Sequence, residues 1–155
     1  MKLSICIPTF NRKNKLINCV NSIYLASLNS KLDFEVCISD NGSSYDIYDL
    51  IKQFENKLKL KINKNESNIG YMPNLLKVIS ISRGDFVWAM GDDDLLMPQA
   101  LKRVDELLES NPDVDFFFVN SFHLDYKYID KFQVPFDTKN LPETMEIKLG
   151  KKKIS

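Results

Sequence analysis

The chain has 155 residues, 44% of them hydrophobic and 27% charged, and 21 Lys and Arg balance 21 Asp and Glu. This composition suits one globular domain with a core of its own, and the zero net charge leaves no basic field to recruit nucleic acid. No apolar run approaches the roughly 20 residues that cross a bilayer, and MKLSICIPTF lacks the apolar segment and cleavage site of a secretion signal, so a cytoplasmic protein is expected.

In chain order, residues 2–8 (KLSICIP) form a short β-prone run. Residues 13–28 place Leu16, Ile17, Val20, Ile23, Tyr24 and Leu28 at helical spacing. Residues 33–39 (DFEVCIS) predict a second strand, ending in the loop signal Asp40-Asn41-Gly42-Ser43. Residues 46–57 predict a helix, and 58–63 (LKLKIN) an edge-like strand. A polar loop, Asn65 to Gly70, precedes a helix over 72–82 with Leu75, Leu76, Val78, Ile79 and Ile81 on its apolar side. DFVWAM at 85–90 predicts a strand buried on both faces. Pro98 suits the first turn of a helix that runs to about Ser110 and stops at Asn111-Pro112. VDFFFVNSF at 114–122 predicts one more strand, a buried central one.

Strands alternating with helices predict a mostly parallel α/β sheet covered on both faces. Residues 1–124 are expected to form the domain and 125–155 an irregular or partly ordered tail of it, where the GKKK ending at 150–153 reads as a solvated end. Cys6, Cys19 and Cys37 lack CxxC spacing and read as buried, reduced thiols.

Ligands of open parallel sheets bind outside the carboxyl ends of the strands. The segments at the ends of the first four strands are therefore informative: Pro8-Thr9-Phe10-Asn11-Arg12, Asp40-Asn41-Gly42-Ser43-Ser44, Asn65-Glu66-Ser67-Asn68-Ile69-Gly70 and Gly91-Asp92-Asp93-Asp94. Each has a bland reading. Thr9 or Asn11 caps the first helix, Asp40-Asn41-Gly42 and Asn68-Ile69-Gly70 are turns, and the aspartates favour a helix N-terminus. Together they point to one site, since caps do not require three adjacent carboxylates. Such a cluster, without His or Cys nearby, offers hard oxygens suited to Mg²⁺ or Mn²⁺ shared with substrate phosphates.

ICIPTFNR, VCISDNGSS, NESNIGYMPN and GDFVWAMGDDDLLMPQAL, in this order over residues 2–122, resemble the amino-terminal half of a family 2 glycosyltransferase with the Rossmann-like GT-A fold. The bacterial enzymes of surface glycan synthesis, the abequosyltransferase-like type among them, are the nearest in flavour. The resemblance implies a nucleotide-diphosphate-sugar donor, with uridine the favoured base, a Mn²⁺ or Mg²⁺ ion, and transfer to the hydroxyl of a saccharide or lipid-linked acceptor, most often with inversion. It also implies that Pro8, Thr9 and Arg12 touch the nucleotide, that Asp40 holds the base, and that Asn68, Gly70 and Asn74 form the next nucleotide-side loop. Asp92 would face the ribose or the metal, Asp93 would ligate the metal, and Asp94 would support it. The chain departs from the family pattern at Gly91, where the first aspartate of Asp-x-Asp stands, and at Pro73, often an arginine.

An inverting transfer needs a carboxylate base, which the resemblance puts beyond Ser155; nothing marks Glu143 or Glu146 for that role. The chain thus reads as a donor-binding half cut short. Self-association or a partner chain is expected where that half exposes apolar surface, as is a peripheral place at the inner face of the membrane. Two other readings are a nucleotide-sugar-binding module without catalysis and a phospho-receiver-like domain; the second fits less well, because Pro8-Thr9-Phe10-Asn11 stands where receivers carry an acidic pair.

Overall fold

The computed structural model describes residues 1–119, 121 and 123–141. Four strands, β1 (Leu3–Thr9), β2 (Phe34–Asp40), β3 (Leu60–Lys64) and β4 (Phe86–Ala89), form one sheet in the order β3-β2-β1-β4. Every pairing is parallel, with Leu3 beside Phe34 and Phe86, and Val36 beside Leu60.

β1 lies between two neighbours, and all seven of its residues are buried. Its two sets of alternating side chains serve two cores, as a strand covered on both faces requires. Leu3, Ile5 and Ile7 join the larger core with Leu16, Val20 and Ile23 of helix α1 (Lys13–Ser27), Ile47 and Ile51 of α2 (Ile47–Ile51), and Leu101 and Leu108 of α4 (Ala100–Ser110). Cys6 and Cys37 face the other way and pack with Val78 of α3 (Tyr71–Ser80). The three cysteines are free and buried, as expected.

The helices expected over 13–28 and 72–82 form nearly as anticipated. The helix expected over 46–57 is shorter. Asp46 caps α2 by accepting from Tyr48 N, and the chain tightens into a 3₁₀ turn at Lys52–Phe54 after only five α-helical residues. Pro98 lies just ahead of α4, which begins at Ala100.

Two strand expectations are corrected. β4 is not buried on both faces: among the described residues it pairs with β1 alone, and Val87 is 42% exposed. Residues 114–119 form no strand, and Asn120 and Phe122 lie outside the described residues. Phe117 reaches back to Phe86 with ring centroids 6.0 Å apart, whereas Phe116 and Phe118 stand 79% and 86% exposed. An apolar run of this length satisfies a buried strand only if a neighbour offers free backbone groups, and among the described residues this run does not pair with β4.

Beyond Asp125, a segment with little periodicity docks on α1. Asn18 Oδ1 accepts from Phe136 N at 2.8 Å, Asn21 Nδ2 donates to Phe136 O at 2.9 Å, and Phe136 is 1% exposed. A short helix α5 (Tyr126–Ile129) is capped by Asp125. Glu143, Glu146 and the lysine run at 151–153 lie outside the described residues.

Candidate functional site

The chain steps outward from β1 to β2 to β3, then crosses back to place β4 on the other side of β1. The crevice at such a reversal is where a parallel sheet accepts ligands. Here the carboxyl end of β1 and the loop after β4 meet across it. Thr9 Oγ1 donates to Asp92 Oδ2 at 2.8 Å, so Thr9 is no helix cap; α1 in fact has no side-chain cap at its N-terminus.

A cleft of about 280 Å³ opens beside this contact, lined by Pro8, Thr9, Phe10, Arg12, Asn41, Asn68, Tyr71, Asn74 and Asp92. Six of the residues anticipated from sequence therefore share one concavity. Asp40, Gly70, Asp93 and Asp94 do not line it. A larger cavity of about 430 Å³ lies against the open edge of β4, between Phe86, Trp88, Leu107 and Phe117. Its walls are mainly apolar, and none of the anticipated site residues lines it.

On one wall a single guanidinium nitrogen collects two carboxylates. Arg12 Nη1 donates to Asp92 Oδ1 at 3.0 Å and to Asp93 Oδ2 at 3.0 Å, and Lys15 Nζ lies 3.5 Å from the same Asp93 oxygen. Asp92 is 4% exposed. Burial pushes its carboxyl above the ordinary range, although the bonds from Thr9 and Arg12 oppose that shift. The same contact raises the Arg12 pKa, first through its hydrogen bond to Asp92. Asp94 turns elsewhere: its Oδ2 accepts from Gly91 N at 2.9 Å and closes the tight turn. The triplet thus relieves its own repulsion by fanning out, two members onto cations and one onto backbone.

The opposite wall is a web of amides. Asn41 Nδ2 donates to Asn68 Oδ1 at 2.8 Å and to Gly70 O at 3.2 Å, while Asn41 Oδ1 accepts from Ile69 N at 2.9 Å. Asn74, 2% exposed, accepts from Ser39 Oγ at 2.7 Å and from Asn65 Nδ2 at 2.9 Å, and donates to Ser39 O. Asn68 also accepts from Gly70 N, which bends the loop into α3. Asn11, in the left-handed region at φ 52°, accepts from Ser44 N at 2.9 Å and ties the first loop to the second. Asparagine tolerates that conformation better than most residues.

Asp40 is fully buried. Its Oδ1 accepts from Ser43 N at 3.1 Å, and its Oδ2 has no partner among the described residues. A buried carboxyl oxygen is costly to leave without a hydrogen bond.

Sequence reasoning did not single out Asn41 and Ser39 as organisers, nor Lys15, nor Phe10 and Tyr71 as cleft walls. The available signal was the recurrence of asparagine at strand ends, since an amide both donates and accepts. Phe10 and Tyr71 are 39% and 67% exposed.

Among the described residues, no group of three or more His, Cys, Asp or Glu side chains could hold a metal ion. Two hard oxygens, from Asp92 and Asp93, nonetheless converge on one cation position, held here by Arg12. One or two carboxylates suffice for Mg²⁺ when substrate phosphates supply further ligands. The donor set therefore fits an ion shared with a diphosphate, and does not amount to a protein-only cage.

The family model for glycosyl transferase family 2 matches residues 4–151. The abequosyltransferase RfbV of Salmonella typhimurium is 36% identical over 116 residues, covering 74% of this chain and 34% of that protein. The poly(ribitol-phosphate) beta-N-acetylglucosaminyltransferase TarS of Staphylococcus aureus is 29% identical over 104 residues, covering 66% of this chain and 18% of that protein. The crystal structure of TarS 1–349 superposes with a TM-score of 0.64 at 24% identity, over 72% of this chain and 33% of that one, a likeness of fold. TarS 1–349 has also been solved with UDP and with UDP-GlcNAc. The chain spans about a third of the length of the abequosyltransferase it matches.

Proposed function

The chain belongs to glycosyl transferase family 2, and from that premise we propose that it is the donor-holding portion of a sugar transferase. In the proposed reaction an acceptor hydroxyl attacks the anomeric carbon of a nucleotide-diphosphate sugar. The bond from that carbon to the diphosphate breaks, the nucleoside diphosphate leaves, and a carboxylate base takes the hydroxyl proton, giving inversion. That base is proposed to come from the part of the longer relatives that this chain does not match.

One observation carries the reading: Pro8, Thr9, Arg12, Asn68, Asn74 and Asp92, from three separate segments, line a single cleft at the sheet reversal. Arg12 in its wall, with Lys15 and the uncapped N-terminus of α1 close by, would supply positive charge for a diphosphate. Asp92 and Asp93 would hold Mn²⁺ or Mg²⁺ against the diphosphate, where the ion neutralises charge on the leaving group. Phe10 and Tyr71 offer aromatic faces for a base. Asp40 Oδ2 would accept a hydrogen bond from a base N–H once the Asn41–Ser43 loop shifts to admit it. A uridine donor is the favoured choice, in keeping with the UDP complexes of TarS. The acceptor is proposed to be a saccharide or a lipid-linked one, and the location cytoplasmic, at the inner membrane face when such an acceptor is engaged; among the described residues, no helix is long and apolar enough to cross a membrane.

The test is thermal melting with UDP, CDP, GDP and dTDP, each with Mn²⁺ or with EDTA. A ligand at about 100 times its Kd adds roughly 2.7 kcal/mol of stability, an easily seen shift. UDP with Mn²⁺ is expected to raise Tm, and the shift should vanish in Asp40→Asn and Asp93→Asn. No shift with any of the four nucleotides would overturn the reading.

A further inference from the structure

Arg12 holds the position on which one oxygen of Asp92 and one of Asp93 converge. Its Nη1 lies 3.0 Å from Asp92 Oδ1 and 3.0 Å from Asp93 Oδ2, so a divalent cation bound by this pair would compete with the guanidinium for one position. Lys15 adds a second positive charge 3.5 Å from the same Asp93 oxygen. Thr9 holds the other oxygen of Asp92, leaving its Oδ1 pointed at the shared position.

Resting on the donor-site reading above, we propose that Arg12 is a built-in counter-cation that keeps the Asp92–Asp93 pair closed to free divalent metal and yields that position only when a diphosphate arrives with the ion. The reasoning is electrostatic. A bare divalent cation entering between the two carboxylates must displace one positive group and then lie beside two of them, with no anion to receive them. A metal–diphosphate complex brings its own anion, and Arg12 and Lys15 can turn onto its phosphate oxygens. Arg12 is free to make that turn, because its side chain is 50% exposed and only its carbonyl is engaged in α1, accepting from Leu16 N. Asp92 cannot follow, being buried and held by Thr9. Ion and diphosphate therefore bind as a coupled pair, and by linkage each raises the affinity of the other by the same factor.

The measurement is Mn²⁺ binding to the 155-residue chain, read from the electron paramagnetic resonance of free Mn²⁺, with and without UDP. UDP binding in EDTA is followed separately by calorimetry. The unaltered chain is expected to bind Mn²⁺ alone at least about tenfold more weakly than with UDP, a coupling of ordinary size. Arg12→Gln should bind Mn²⁺ alone roughly tenfold more tightly than the unaltered chain, since a unit charge beside the site is removed, and its coupling to UDP should shrink. Arg12→Lys keeps the charge and should keep metal exclusion. Lys15→Gln should act in the same direction as Arg12→Gln, but less, because Lys15 touches one carboxylate only. Unchanged binding of Mn²⁺ alone in Arg12→Gln, with metal-dependent UDP binding intact in the unaltered chain, would overturn this inference and leave the donor site standing. Equal Mn²⁺ affinity with and without UDP in the unaltered chain would overturn it too. Loss of all UDP binding in the unaltered chain would overturn both readings.

Discussion

At the scale of single residues, Asp92 carries a conflict between folding and binding. It is buried, and its burial raises its pKa despite the hydrogen bonds from Thr9 and Arg12. An acid whose folded-state pKa lies above its unfolded value binds protons more tightly when folded. Stability is then fully present below the ordinary carboxylate pKa of about 4, and is lost as pH rises from there through the raised value. Asp92→Asn removes this dependence while keeping an oxygen for Thr9. The variant should therefore melt at or above the temperature of the unaltered chain at neutral pH, the gap opening as pH rises through that window, and it should lose the UDP–Mn²⁺ shift. A variant that melts well below the unaltered chain at neutral pH would mean that the ionised Asp92–Arg12 pair is a net source of stability.

At the scale of elements, the site is held by contacts between loops that are far apart in sequence. Gly42 shows how tightly. It adopts φ +78°, and a Cβ there would lie 2.8 Å from the Ser67 carbonyl carbon and 2.9 Å from its Cα, both backbone atoms. Gly42→Ala meets both the left-handed penalty and a clash that no side-chain rotation relieves. It should cost roughly 2–3 kcal/mol, read as a lowered urea midpoint at unchanged slope. Since Ser67 leads into Asn68, UDP affinity should fall as well. A cost below about 0.5 kcal/mol, the usual range for surface substitutions, would mean the two loops are not pressed together in solution. The same interdependence explains the limits of local reading. Asp40-Asn41-Gly42-Ser43 reads as turn chemistry, and it is a turn, but Asn41 also bridges Asn68, Ile69 and Gly70 some 27 to 29 residues away. No local pattern encodes that reach. Asn18 and Asn21 are likewise ordinary polar positions on an amphipathic helix until Phe136 docks between their amides.

At the scale of the whole molecule, the open edge of β4 dominates. Val87, Leu107, Phe116, Phe118 and Val119 are all more than a third exposed, and β4 has no partner on its outer side among the described residues. Unpaired edges flanked by exposed apolar side chains invite pairing with another chain. The 155-residue chain is expected to self-associate with rising concentration in light scattering, and Phe116→Ser with Phe118→Ser to reduce that association. A monodisperse monomer over the same range would sink the expectation.

The α/β class, the alternation of strand and helix that implies a parallel sheet, and the strand ends that carry polar chemistry are all legible in the residues alone. These depend on periodicity and on residue type, both local properties. The four motifs also sufficed to indicate the family. Burial was legible for β1, whose apolar run matches two covered faces, and misleading for DFVWAM and DFFFV, because an apolar run records a need for cover and not whether the cover is present. Only the packed fold shows that Arg12 and Lys15, from the first loop and helix, pair with aspartates far along the chain, that Asp94 turns to its own backbone, and that Asp40 has an oxygen without a partner among the described residues. The physical reason is that charge pairing and hydrogen-bond completion act between atoms a few ångströms apart, and only the sheet order β3-β2-β1-β4 brings those atoms together.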